Sequence, residues 1–430
     1  MPTDHSRADS VSSQLAIAGG KPAISQPLPP MYPGGMRIGC EEEAAVLEVL
    51  RSKRLFRYYG PEPSLSQVDA LEQAFGSYIG STYCAAVTSG TAALICALAG
   101  FGVGPGDEVI IPAYTWIATA SAVLAVGAVP ILAEVDESLT LDPVDVERKI
   151  TSHTSAIIAV HMRGAPCNMV ELERIAQSHK LKLLEDAAQA IGGSYQHRRL
   201  GSIGDAGAFS LQFNKIITCG EGGLITTSNQ MIHQRMLMYQ DVLGGVRNNI
   251  PADQILPGAN FRMSELQGAV AGVQLQRLGT LLDAMRQRKT QIKASIVDLA
   301  QRQGITFRHL NDVEGDTAIA LIFFLPSEKQ AVYVANALSC EGVESFTLYT
   351  REDSTDYHVY CNWSPILNKQ TWSVRGGPWH WHNRDVSYSW DMCPRSLDLL
   401  RRAVHLDISP DLTDGNIEEI VVALRKVLVA

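Results

Sequence analysis

Between Tyr83 and Thr227 the chain alternates short, continuously apolar runs with segments of helical spacing, and this alternation constrains the fold more than any other feature. The runs are Cys84 to Val87, Glu108 to Ile111, Val129 to Val135, Ala156 to Val160, Leu181 to Leu184, Ala206 to Ser210 and Gly223 to Thr227. Most are apolar throughout, not on alternate residues, as strands covered on both faces require. The pattern predicts a large α/β domain. Regular patterning begins near Cys40, where Ala45, Val46, Val49 and Leu50 keep helical spacing. Asn260 to Leu282 is a long amphipathic pattern followed by the basic, polar RQRKTQIK, which reads as a helix leaving the large domain. The expected organisation is a flexible arm over 1–25, a large domain over 26–280 and a smaller C-terminal α+β domain over 281–430.

Composition narrows the function. With 430 residues, 46% hydrophobic and 19% charged, the chain has ample core and is not a disordered or fibrous sequence. Its 36 Lys and Arg against 45 Asp and Glu give 36 − 45 = −9, with no block of like charge, which argues against nucleic acid or an anionic membrane as partner. A small molecule fits better. Eight cysteines without a C-x-x-C pair suggest neither a zinc module nor a disulfide framework, and read as reduced thiols of a cytoplasmic protein. The polar N-terminus lacks the apolar stretch of a signal peptide. Ala113 to Ala133 is uncharged and long enough for a membrane span, but Gly127, Pro130 and several hydroxyl residues divide it into a buried loop, helix and strand.

Three segments carry chemistry. Thr88-Ser89-Gly90-Thr91 follows an apolar strand and opens a helix-forming run, where free N–H groups and a glycine suit a phosphate. The same residues would serve as an ordinary N-cap. Glu185-Asp186 ends a buried strand, and in an open α/β sheet ligands sit beyond the carboxyl ends of strands. Asp186 would also serve to cap the next helix. Lys215, just past the strand that ends at Ser210 and with few charges beside it, is a candidate imine-forming amine; alone it would read as a surface lysine. In the order anion cradle, acid, amine, the three meet the needs of pyridoxal phosphate (PLP): a helix start for the phosphate, a carboxylate for the ring nitrogen and an amine for the aldehyde.

The chain resembles the DegT/DnrJ/EryC1/StrS family of sugar aminotransferases, which have the type I, aspartate-aminotransferase-like PLP fold. The resemblance runs from about Gly39 to residue 425. It rests on Ser89-Gly90-Thr91-Ala92-Ala93-Leu94, Gly102 to Ile110, Pro112-Ala113-Tyr114-Thr115-Trp116, Glu185 to Ala190, the Lys215 segment with Gly220-Glu221-Gly222-Gly223, and Asn260-Phe261-Arg262-Met263. It implies a large domain with a mixed, mostly parallel sheet and a smaller α+β domain. It further implies that Lys215 bonds the cofactor aldehyde, that Asp186 holds the pyridinium proton and that Trp116 stacks on the ring. Ser89, Gly90, Thr91 and Ser210 would cradle the phosphate, joined by Asn260 from the partner subunit of a homodimer with shared active sites; the alternative for Asn260 is a cap of the long helix. Gln189 would lie near the ring hydroxyl. The implied reaction takes an amino group from L-glutamate or L-glutamine, holds it as pyridoxamine phosphate and passes it to a carbonyl acceptor.

Many family members that act on nucleotide-linked sugars carry histidine three residues before the lysine, where this chain has Gln212. That departure is shared by members acting on cyclitols, an aminobenzoate precursor or an oxidised eight-carbon sugar acid, so an acceptor of that kind, an oxidised octulosonic acid or a keto-cyclitol, is expected. The alternatives are a nucleotide-linked keto-sugar and a non-catalytic PLP-binding regulator. Arg57, Tyr58, Tyr59 and Gln212 are candidate substrate residues; at the first three a guanidinium beside two phenols suits a carboxylate, and the alternative is a capping or packing role. Tyr357-His358-Val359-Tyr360, Trp379 to His382 and His405 invite a metal reading, with His380-x-His382 placing two imidazoles on one face of a strand, but without a nearby Cys or acidic ligand set they read as an aromatic-rich loop near the substrate mouth and no metal is expected. A nicotinamide-binding fold is disfavoured because Gly102-x-Gly104-x-Gly106 precedes its strand instead of following one.

Overall fold

The computed structural model describes residues 14–58, 66–350 and 355–430. The seven apolar runs form one sheet: β1 (Tyr83–Val87), β2 (Glu108–Pro112), β3 (Val129–Ala133), β4 (Thr154–Val160), β5 (Lys182–Asp186), β6 (Ala206–Ser210) and β7 (Gly223–Thr227). The spatial order is β1-β7-β6-β5-β4-β2-β3. Only β7 runs against its neighbours, so the sheet is mixed and mostly parallel, as expected. β2, β3, β6 and β7 are buried at every position, which is why their sequences lack alternation. Because six strands run the same way, the loops after β1, β2, β4, β5 and β6 gather along one edge of the sheet.

Ala113 to Ala133 folds as a loop, the helix Ala118–Ala125 and β3, as its punctuation suggested. Among the described residues no helix is long and apolar enough to cross a membrane. A second sheet, wholly antiparallel, is formed by β8 (Thr306–Phe307), β9 (Ala320–Phe324), β10 (Ser345–Phe346) and β11 (Ala403–Asp407) in the order β8-β9-β11-β10.

The long helix differs from its expected bounds. It runs over Glu265–Arg302, capped by Ser264, whose hydroxyl accepts from Gln267 N–H while the Gln267 side chain returns to Ser264 N–H. Residues 260 to 263 are extended instead, tied by bridges from Asn260 to Asp241 and from Arg262 to Val87. The polar RQRKTQIK stretch is helical too. Gln274 bonds Glu42 near one end and Arg288 pairs with Asp414 near the other, so residue 280 is an interior point of one continuous helix.

The flexible arm expected over 1–25 does not hold for residues 15 to 24. Leu15 and Ile24 are buried, and the N–H groups of Ala16 and Ala23 each donate to the Glu341 carboxylate at 2.8 Å. Lys426 completes that buried carboxylate's partners. The first thirteen residues lie outside the described ones.

Candidate active site

β1 ends at Val87, and Ser89 caps the helix α1 (Gly90–Phe101) by accepting from Ala92 N–H at 3.1 Å. The Ser89 oxygen accepts for the cap and leaves its O–H to donate, while the N–H groups of Gly90 and Thr91 stand at the open helix start, where no intrahelical acceptor exists. A Cβ on Gly90 would lie 2.7 Å from Cβ of Ser210, so only glycine lets β6 come so close to this turn. Ser210 is buried, and its hydroxyl accepts from Gln212 N–H at 3.3 Å. The cradle of backbone N–H groups with a hydroxyl across from it fits a phosphate.

Strand alternation decides between the two acids of β5. Glu185 points to the far side and accepts from the N–H groups of Gly201, Ile203 and Gly204 at 2.6 to 2.8 Å, a structural role. Asp186, 5% exposed, accepts from Thr119 Oγ1 at 3.0 Å and Ala188 N–H at 3.1 Å. Thr115 Oγ1 lies 2.7 Å from Thr119 Oγ1 and extends the chain of hydroxyls. Burial raises the Asp186 carboxyl above its ordinary range, opposed by those two hydrogen bonds and by the Lys215 charge. A cationic ring nitrogen would supply the counter-charge that a buried carboxylate needs.

Lys215 sits in the turn after β6, with its N–H donating to Gln212 O at 3.0 Å. Burial pushes its amine's pKa down, Asp186 opposes this and Arg163 adds to it, which favours the neutral, nucleophilic form. The amide oxygen of Gln212, expected to face substrate, accepts from Asn214 N–H at 3.0 Å and braces this turn.

Trp116 is 48% exposed at the mouth, with one flank against His358 at a ring distance of 4.9 Å. Gln189 accepts from Arg163 N–H at 3.1 Å and lies 3.3 Å from His358 Nε2. The 357–360 segment reaches this edge because Thr115 N–H donates to His358 O and Tyr360 N–H to Ala113 O. Asn260 is exposed and has no side-chain hydrogen bond among the described residues; it neither caps the long helix nor begins it.

Two expectations are corrected. Arg57 is buried in an ion pair of its own chain, with NH1 and NH2 donating to Glu72 at 2.7 and 2.6 Å and NH2 to Asp69 at 2.5 Å, so its fork is not offered to a substrate. Tyr58 packs between the guanidinium groups of Arg57 and Arg247. Tyr59 lies outside the described residues. His380 stands in the short helix Pro378–Trp381, not on a strand, and accepts from Gly377 N–H, while His382 pairs with Glu108. No cluster of three metal-ligating side chains occurs among the described residues.

The sequence reading missed Thr119 and Arg163; His358 lies where its aromatic-rich segment was expected, against Trp116 and Gln189. Thr115 and Thr119 carried a weak signal, four residues apart after a strand end; Arg163, just beyond β4, stood at the same sheet edge as the residues that were found.

The site is thus that of a PLP-dependent enzyme: an anion cradle, a buried carboxylate, a lysine whose pKa burial pushes down and a mouth tryptophan on one sheet edge. Residues 36–366 match the DegT/DnrJ/EryC1/StrS aminotransferase family, and the chain belongs to it. An L-glutamine:2-deoxy-scyllo-inosose aminotransferase from Streptoalloteichus tenebrarius is 37% identical over 288 residues, 65% of this chain and 66% of the relative. The dTDP-3-amino-3,6-dideoxy-alpha-D-galactopyranose transaminase of Aneurinibacillus thermoaerophilus is 32% identical over 84% of this chain and 90% of its own. Among solved structures, an aminotransferase from Psychrobacter cryohalolentis superposes with a TM-score of 0.76 at 26% identity, covering 94% of this chain and 99% of that one. The protein is a PLP-dependent transaminase of amino-sugar biosynthesis with the type I fold.

Proposed function

We propose that the protein moves the amino group of L-glutamate or L-glutamine to the carbonyl of a polyhydroxylated acceptor without a nucleotide handle, an oxidised octulosonic acid or a keto-cyclitol. PLP, when bound, supplies an electron sink for the substrate carbon. In that reading Asp186 keeps the ring nitrogen protonated, Thr119 orients Asp186, and Trp116 covers one ring face. Lys215 carries the proton between substrate carbon and cofactor, which requires the neutral amine that burial favours. The intact set of Lys215, Asp186 and Trp116 supports turnover over a non-catalytic, PLP-sensing role. The acceptor class is supported by Gln212 before Lys215 and by likeness to an enzyme named for a keto-cyclitol. A nucleotide-linked keto-sugar is the second reading, favoured by the likeness to the dTDP-sugar transaminase.

The working form is a cytoplasmic homodimer with shared sites. Asn260 is exposed and bridges Asp241, next to the exposed apolar Val242, which suits an interface that carries Asn260 to the partner's phosphate. Mixing inactive Lys215→Ala and Asn260→Ala protomers should restore part of the activity; no recovery in a proven heterodimer would refute the sharing. For the acceptor, the protein is loaded with amino groups from glutamine and challenged with candidate carbonyl compounds. Discharge by an inosose or a keto-acid sugar is expected. Discharge by a nucleotide-linked keto-sugar alone would overturn the preference.

A further inference from the structure

Gln189 lies in the turn that follows β5, three residues past Asp186, and its amide is held at both ends. Its oxygen accepts from Arg163 N–H at 3.1 Å, and its nitrogen stands 3.3 Å from His358 Nε2. His358 is 169 positions further along the chain. Two distant segments thus set the direction of one half-buried side chain beside the carboxylate of the site.

The segment that carries His358 is built to reach this point. Asp356 opens a tight turn: its Oδ1 accepts from His358 N–H at 2.8 Å, and its backbone oxygen accepts from Val359 N–H at 3.1 Å and from Asn362 Nδ2 at 2.8 Å. The turn is pinned in its place by the loop after β2. Thr115 N–H donates to His358 O at 2.9 Å, Ile117 N–H to Tyr357 O at 3.2 Å and Tyr360 N–H to Ala113 O at 3.1 Å. Trp116 stands within that ladder, and the His358 ring rests against it with centroids 4.9 Å apart. One face of the imidazole is therefore given to Trp116 and one edge to Gln189.

The hydrogen-bond roles follow from the partners. His358 Nδ1 lies 2.7 Å from Asp356 Oδ1. Burial pushes the Asp356 carboxyl up, but the hydrogen bonds from His358 and the Arg163 charge bring it below its ordinary range. An ionised carboxylate only accepts, so Nδ1 carries the proton. In the neutral ring Nε2 then keeps its lone pair and accepts an N–H of Gln189. The opposite amide orientation would set an oxygen against that lone pair and an NH2 group against Arg163 N–H, so the two contacts select one orientation together. Only one of the two amide hydrogens is used by His358, and the second remains to donate.

We propose that His358, set by Asp356, is a positioning residue of the PLP site that acts through Gln189, fixing its amide so that the second N–H serves the cofactor. The inference rests on reading the chain as a PLP enzyme with Gln189 at the cofactor ring. Histidine suits the task because one ring offers a donor edge to Asp356, an acceptor edge to Gln189 and a flat face to Trp116. Phenylalanine would keep the face and lose both edges, whereas glutamine would return an acceptor near the place of Nε2.

The test is a double-mutant cycle on PLP affinity, read by fluorescence titration of the cofactor-free protein. His358→Phe should weaken PLP by about 3- to 10-fold, the range for losing one neutral hydrogen bond, and Gln189→Met by a similar factor. In the Gln189→Met background, His358→Phe should cost less than about twofold, because the group it positions is gone. His358→Gln should bind PLP within about twofold of the wild type. Circular dichroism establishes that each variant is folded, and His358→Leu takes the place of His358→Phe if the latter does not fold. Unchanged PLP affinity in His358→Phe, the same fold-loss in both backgrounds, or a loss in His358→Gln as large as in His358→Phe would overturn the proposal. Unchanged PLP affinity in Gln189→Met would overturn it together with the place given to Gln189. A coupled cycle in a protein that binds PLP but transfers no amino group would leave the positioning role standing and remove the proposed reaction.

Discussion

Replacing Arg57 by methionine separates a structural role from a substrate role at a position where the sequence allowed both. The Arg57 side chain is 8% exposed and Glu72 13%, and the two form paired contacts of 2.7 and 2.6 Å. Burial pushes the Glu72 carboxyl up, and the Arg57 guanidinium opposes that rise. Removing one partner of such a pair costs about 3–5 kcal/mol, because the other charge stays buried. Glu72 keeps the bond from Ala86 N–H at 2.7 Å, and Asp69, 42% exposed, turns to water, so the lower half of that range is expected. At about 2 °C or a little more per kcal/mol for a chain of this size, Tm should fall by about 6–10 °C. Thermal unfolding followed by circular dichroism reads the loss. At a temperature where the variant is folded, its KM for the amino donor should match the wild type. Adding Glu72→Leu should recover part of the Tm, since no unpaired charge is left. An unchanged Tm with a tenfold higher donor KM would refute the reasoning and return Arg57 to the substrate site.

Thr119→Val removes one of the two hydrogen bonds to Asp186 and should weaken PLP by about 10- to 150-fold, the equivalent of about 1.5–3 kcal/mol, in a fluorescence titration of cofactor. Gly90→Ala sets a Cβ 2.7 Å from Ser210, so PLP affinity should fall by about tenfold or more while the cofactor-free protein stays folded. Asp186 has a raised pKa in the fold, so between its ordinary and its raised value the native state binds the extra proton. Stability of the cofactor-free protein should therefore fall as pH rises through that window, and Asp186→Asn should remove that part of the slope in pH-dependent denaturant titrations.

The strands and the cofactor residues were legible because they leave one-dimensional marks. A strand covered on both faces is apolar at every position, as in β2 and β3. Lys215 and Asp186 stand out as charges just where such runs end. What stayed hidden depends on partners far along the chain. Arg57 looked available because its partners Asp69 and Glu72 lie 12 and 15 positions further along the chain. Arg163 takes its meaning from Gln189, Phe346 and Asp407, which belong to three other segments. Residues 15 to 24 read as loose chain until Glu341, more than 300 positions away, collects their N–H groups. The helix start at Glu265 was misjudged because Asn260 to Met263 share its composition but are held extended by bridges to Asp241 and Val87.

The central claim is that Lys215 carries PLP and that an amino donor discharges into it. Its most direct test is the absorption spectrum of the purified protein with PLP, recorded before and after adding L-glutamine or L-glutamate, beside that of Lys215→Ala. The wild type should show a visible band that moves to the near ultraviolet with donor, and the variant should show neither that bound band nor the shift. A wild type that takes up no PLP, or a Lys215→Ala protein that keeps the band and responds to donor at the wild-type rate, would contradict the account.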